Sequence, residues 1–351
     1  MWNMLLFKAE QTYSEFFRYP SVGTDDYRYQ YQTALVRVFE MQMLSKTTLV
    51  DMANAEDFRQ AAELLSGTEY ALPTGIDGAS LEEVLGSRRT AVRELFAELM
   101  VDQAVVRLFR SRDDYSNVRL AVRRAMTDRP IGTDYSPDGN VPPKQFAQVF
   151  GEENYESFPD YLQEATERAV LAYYQNKDIR QIDRAIDEAQ SEHNLAVARR
   201  LGSVFLYNLF RIQADLTNIR TMLRLKFAGA ASAYFDEKVF LKGGFLEMDR
   251  LRHALDLAYE VMGSLFYVTP YYDLVEAGAG YLAAQKSFLK LEQRCDEHLL
   301  GYLRSTLEIS TGPQPVLAHF LMKEHEIRMV RLVLTAKRND LDTKLVLDRV
   351  S

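Results

Sequence analysis

The chain has 351 residues, with 42 Lys and Arg against 50 Asp and Glu for a net charge of −8, and its 47% hydrophobic share with 11% aromatics excludes a disordered polyelectrolyte. The acidic balance argues against a general nucleic-acid or anionic-membrane role while leaving room for local basic patches. Only 17 Gly and 10 Pro punctuate the chain, which favours long helices, and the single cysteine, Cys295, excludes an intramolecular disulfide or a cysteine-based zinc site.

The uncharged run at 1–7 is too short for a signal-peptide core and has no basic leader. No stretch reaches the ~18 apolar residues of a membrane helix, so a soluble, cytoplasmic chain is expected. Apolar residues at helical spacing (Leu35, Val38, Phe39, Met43) predict a helix over 27–44. Asn54 reads as the start of a second helix running to Leu65 and stopped by Gly67. Ser80-Leu81-Glu82-Glu83 has the form of a capping box, opening a helix to about Arg112. Asp113 and Asp114 then read as a break and a new N-cap for a helix to about Met126. Residues 127–143 hold four prolines and four turn-type residues and predict a surface loop. Further helices are expected at 144–150, 159–175, 178–227, 247–262 and 274–310, then from Gly312 and Pro315 to Lys337, with a short one to the end. Period-2 alternation is not evident, so the predicted class is all-α.

A repeat organises these elements. Leu108-Phe109-Arg110 with Asp114, Asn117 and Arg119 matches Leu209-Phe210-Arg211 with Asp215, Asn218 and Arg220 at a constant offset of 101, six of twelve positions being identical. Arg123 and Arg224 extend the match by one helical turn, and a weaker third copy lies 108 residues further on, from Leu317 to Arg328 with Arg331 beyond. Three copies at near-equal spacing suggest one unit of about 100 residues used three times, either as an open array or as a closed pseudo-threefold body. The predicted division is an N-terminal extension at 1–26 and units at 27–150, 151–245 and 246–351.

The repeated polar residues admit two readings. In one they hold the fold: Asp114 or Asp215 at a helix start satisfies free amides, and the arginines pair with carboxylates on neighbouring helices. In the other they line a central concavity that grips a shaft-like partner. Segment 107–129, with seven Arg and three Asp, reads in the same way as a solvated face or partner surface.

The sequence lacks the common catalytic signatures. None of His193, His253, His298, His319 and His325 has the spacing of a zincin or di-iron site, and Cys295, Glu297 and His298 lack a second cluster to complete a metal site. There is neither a Gly-x-x-x-x-Gly-Lys-Ser/Thr cradle nor a Gly-x-Ser-x-Gly elbow, so neither catalytic nor cofactor-binding residues are assigned.

The last repeat, Gly312-Pro-Gln-Pro315 followed by Lys323-Glu324-His325-Glu326-Ile327-Arg328 and Arg331, resembles the C subunit of archaeal and bacterial V/A-type ATPases, the counterpart of the d subunit in eukaryotic vacuolar ATPases. Asp215-x-x-Asn218-Ile219-Arg220 with Arg224 and Lys226 is similar to the family's middle signature, and Tyr27-x-Tyr29-x-Tyr31 with Val36-Arg37-Val38 and Thr68-x-Tyr70 to its N-terminal part. The resemblance implies three helical units with pseudo-threefold symmetry around a funnel-like cavity. It also implies a non-catalytic rotor component, peripheral to the membrane, on its cytoplasmic side. Its partners would be the central-stalk subunits of the ATPase head and the cytoplasmic face of the proteolipid ring, with no nucleic acid and no membrane span. The alternative is a helical adaptor unrelated to ion transport. The candidate partner-binding or structural residues are Asp114, Asn117, Arg119, Arg123, Asp215, Asn218, Arg220, Arg224, Glu324, Glu326, Arg328 and Arg331.

Overall fold

A computed structural model describes residues 19–72, 78–234 and 236–350. The described residues are helical and contain no β-strand. The first eighteen residues of the expected extension, and the Ser80 side chain of the expected capping box, lie outside the described residues.

Two compact units divide the chain. Asp102–Leu255 forms one, and the described parts of Thr12–Val101 and Asp256–Ser351 form the other. In the first, α5 (Gln103–Met126) packs against α6 (Pro143–Glu152), α7 (Asp160–Asn176) and α8 (Ile179–Arg200), and α9 (Val204–Phe227) packs on α8. Its core joins Tyr115, Val118 and Val122 of α5 to Phe146 and Val149 of α6, Leu162 and Ala165 of α7, and Ile182 and Ile186 of α8. The short α10 (Met248–Asp256) ends this unit.

The other unit is built around α14 (Pro313–Arg338), which is buried on every side over most of its length and so behaves as a central core helix. Against it lie α1 (Gln30–Glu40), α2 (Lys46–Asn54), α3 (Phe58–Glu63) and α4 (Gly78–Leu99). α11 (Tyr259–Met262), α12 (Tyr272–Gln285) and α13 (Leu289–Arg304) follow one another, and α15 (Thr343–Val350) packs on α2 and α13. Met52, Leu65, Tyr70, Leu81 and Leu85 meet Ile327, Val330 and Leu334 in its core. Gly278 lets α12 pack closely on α13: a Cβ there would come within 2.9 Å of Leu291 Cδ1.

Several sequence expectations are corrected here. Asn54 ends α2 instead of opening a helix, and the cap of α3 is Asp57, whose carboxylate accepts from the Gln60 amide at 2.8 Å. α4 already begins at Gly78, which places Ser80 inside the helix. The break expected at Asp113 and Asp114 lies instead at 100–102, and α5 runs unbroken through both aspartates. The expected 178–227 helix is two helices, interrupted where Gly202 takes φ +65° and Ser203 caps α9 by accepting from the Leu206 amide. The 274–310 stretch is likewise broken after Gln285 by Lys286 at φ +53°.

Candidate functional site

The bounds of α4 and α5, 78–99 and 103–126, recur in α8 and α9, 179–200 and 204–227, at the same 101-residue offset as the motif. The repeat is therefore a property of the helices as well as of the letters.

On α5, Asp114 is fully buried, and its carboxylate accepts from the backbone amides of Asn140 (3.1 Å) and Val141 (3.0 Å). The Tyr161 hydroxyl donates to it at 2.7 Å. One turn on, the Asn117 side-chain amide donates to the Ser136 carbonyl and its oxygen accepts from the Ser136 amide, both at 2.9 Å. α9 repeats the device. Asp215, also fully buried, accepts from the amides of Phe245 (2.9 Å) and Leu246 (3.0 Å). Asn218 makes the same reciprocal pair with Leu241, at 2.9 and 2.8 Å.

In each copy a carboxylate and an amide, i and i+3 on one helix face, fold the following loop back onto that helix. They satisfy loop backbone groups that burial would otherwise leave unpaired. A glycine accompanies each carboxylate. A Cβ at Gly139 or Gly244 would come within 2.1 Å of Oδ1 of Asp114 or Asp215, so only glycine lets the loop approach this closely. The two loops differ in what else holds them. Arg211 donates to the carbonyls of Gly243 (3.2 Å) and Gly244 (3.0 Å) and lies 3.8 Å from the Phe245 ring centroid, whereas its counterpart Arg110 is exposed.

The third copy keeps the positions and changes the chemistry. Lys323 stands where Asp215 would, and Glu326 where Asn218 would. Glu326 accepts from the Leu44 amide and the Tyr70 hydroxyl, both at 2.7 Å, and from Lys323 Nζ at 2.7 Å. Lys323 also pairs with Glu69. The Tyr70 phenol is pushed far above its usual range by burial first and by the Glu326 carboxylate second.

The arginines have different surroundings. Arg119 and Arg123 reach across to α8, Arg119 to Asp187 and Asp183 and Arg123 to Asp183. Arg220 is half-buried and Arg224 exposed. On α14, Glu324 pairs with Arg93 at 3.3 Å, Arg328 lies 3.1 Å from His325 Nδ1, and Arg331 pairs with Glu82 at 3.1 Å. The sequence pattern located the Asp and Asn positions but missed their loop partners and both glycines. The shared spacing from Ser136 to Gly139 and Asn140, and from Leu241 to Gly244 and Phe245, was the available signal.

A cavity of about 170 Å³ lies in the α14 unit, lined by Leu44, Met322, Gln293, Asp296, His325 and Arg349 among others. Several of its charged groups are engaged within the chain: Arg349 pairs with Asp296, Lys46 with Glu297 at 3.0 Å, and Glu326 with the Leu44 amide. Among the described residues, no cluster of three His, Cys, Asp or Glu stands ready for a metal, and no helix is long and apolar enough to cross a membrane.

Residues 32–349 match the sequence profile of the ATP synthase (C/AC39) subunit family. The chain belongs to that family. It is similar to the C subunit of the V-type sodium ATPase of Enterococcus hirae, 25% identical over 322 residues that cover 90% of this chain and 96% of that protein. The C subunit of the V-type ATP synthase of Thermus thermophilus is 27% identical over 325 residues, covering 88% and 94%. The C subunit of the A-type ATP synthase of Thermococcus onnurineus is 22% identical over 335 residues, covering 87% and 85%. As a member of this family the chain is a component of a V/A-type ATPase.

Proposed function

We propose that this chain is a non-catalytic coupling component, a helical socket that links the rotating central shaft of a V/A-type ATPase to its membrane proteolipid ring. The observation that carries the reading is the family match over 32–349. Torque transfer needs a stiff body, and close-packed helical cores have low compressibility. The Asp/Asn clamps add to that by tying long loops to the helices that precede them.

In this reading the units at 27–150, 151–245 and 246–351 are related by about a third of a turn around a funnel-like cavity, as heterologous contacts close a ring. The protein binds at the cytoplasmic face of the membrane through its partners. The buried Asp and Asn residues hold the fold, and the arginines of the repeat contribute to the partner surface.

Affinity purification from native membranes, with identification of the co-eluting chains, tests this. Stalk and proteolipid subunits are expected to co-elute, and a variant with Arg119, Arg220 and Arg328 replaced by Ala is expected to stay helical but lose them. Recovery of the chain alone, or with partners unrelated to ion transport, would favour the adaptor reading instead.

A further inference from the structure

The cavity of the α14 unit is incomplete in two places. It runs between two helices, with Gln293, Leu300 and Arg304 lining it from α13 and Met322, His325 and Met329 from α14. Gln293 is only 2% exposed, yet neither the oxygen nor the nitrogen of its side-chain amide has a hydrogen-bond partner. Buried amides are almost always paired, so this one lacks a group that both donates and accepts.

The second gap is one of charge. Each carboxylate that lines the cavity has a cation of its own: Asp296 pairs with Arg349, Glu297 with Lys46 and Arg294, and Glu326 with Lys323. Among the described residues, no carboxylate lies within ion-pair distance of the Arg304 guanidinium. Burial first, opposed by Asp296 and helped by Arg328, Arg349 and Arg304, lowers the His325 pKa to about 4 from 6.5, so its ring is neutral at pH 7 and adds no charge. One positive charge is left over. Arg304 and Lys46 are exposed, so the cavity opens to the surface beside them. Side chains on a helix lean toward its N-terminus, which turns Arg304 back over the cavity.

The walls between these two groups are apolar and adaptable. Met43, Met322 and Met329 contribute thioethers, which fit themselves to varied shapes. The volume of about 170 Å³ is near that of a cavity known to hold benzene, so it takes one large apolar side chain.

We propose that this cavity binds the C-terminal end of a partner polypeptide. The free carboxylate meets Arg304, the last, apolar side chain enters between the methionines, and a preceding peptide group meets the Gln293 amide. Gln293 and Arg304 stand eleven residues apart on α13, a rise of about 16 Å. About five extended residues cover that length. A simple alkyl carboxylate would leave the Gln293 amide unmet, and a chain segment without a free end would leave Arg304 unmet. Such a site is independent of the coupling role proposed above.

Isothermal titration of the full chain with the pentapeptide acetyl-Ala-Ala-Ala-Ala-Leu tests this. The free acid is expected to bind with saturable heat, and the same peptide ending in a carboxamide at least about tenfold more weakly. Arg304→Gln should abolish that difference by weakening the acid alone, and Gln293→Leu should weaken acid and carboxamide by the same factor. Absence of saturable binding below about 1 mM, equal affinity for acid and carboxamide, a loss of both in Arg304→Gln, indifference to Gln293→Leu, or binding of octanoate in place of the peptide would each overturn the proposal.

Discussion

Asp215 and Gly244 act on the same hydrogen bonds from opposite sides, so their substitutions should be strongly non-additive. Asp215→Ala removes the acceptor of the Phe245 and Leu246 amides, which sit 2.9 and 3.0 Å from it. A hydrogen bond to a charged acceptor contributes about 1.5–3 kcal/mol, and a buried donor left unmet costs about 1–3 kcal/mol. Gly244→Ala places a Cβ 2.1 Å from Oδ1 of the same carboxylate, the oxygen that accepts from Leu246, so the loop must lift and both bonds lengthen. Each single variant is expected to lose about 3 kcal/mol locally, and the double variant about 4 instead of 6, a coupling of about 2 kcal/mol. Native-state hydrogen exchange at the Phe245 and Leu246 amides reads this directly, because 3 kcal/mol is roughly a 150-fold faster exchange. If Gly244→Ala accelerates exchange equally with and without Asp215, the glycine is not there to admit the carboxylate and the clamp reasoning fails. The Asp114 and Gly139 pair, with the same 2.1 Å approach, should behave alike.

Asn117→Ala and Asn218→Ala each break a reciprocal pair with a loop residue and should lower the urea midpoint by the equivalent of about 1–3 kcal/mol, measured by far-UV circular dichroism. Glu326→Ala strands the Leu44 amide and the Tyr70 hydroxyl beside buried Lys323 and should cost about 3–5 kcal/mol, while the paired change Lys323→Met with Glu326→Leu should cost less than Glu326→Ala alone in the same assay. Burial lowers the His298 pKa to about 4 from 6.5, so folding keeps the ring neutral while the unfolded chain protonates. That contribution is complete above pH 6.5 and declines by about 1.4 kcal/mol per pH unit down to pH 4; His298→Gln should flatten this part of a stability–pH curve, and an unchanged slope would contradict it.

The helical class and most helix positions were legible because apolar periodicity and proline or glycine breaks are local signals. The repeat was legible too, since Asp114, Asn117, Asp215 and Asn218 keep their spacing. What those residues do was not. An aspartate before a polar run looks like an N-cap, yet Asp114 lies mid-helix and accepts from amides 26 and 27 residues away. That partner is set by tertiary folding of the 127–142 loop, which no local pattern encodes. The same reason hides the break at 201–203, where Gly202 and Ser203 carry the turn within an otherwise continuous helical pattern. In the third copy the substitution of Lys323 and Glu326 for the acid and amide keeps a loop amide, that of Leu44, and adds a buried ion pair, a change visible in the letters but not in its geometry.

The central claim is coupling, and reconstitution tests it most directly. Complexes assembled in proteoliposomes with and without this protein should hydrolyse ATP in both cases, but ATP-driven ion transport should require it. Transport that persists without the protein, or ATP hydrolysis by the purified chain alone, would contradict the account.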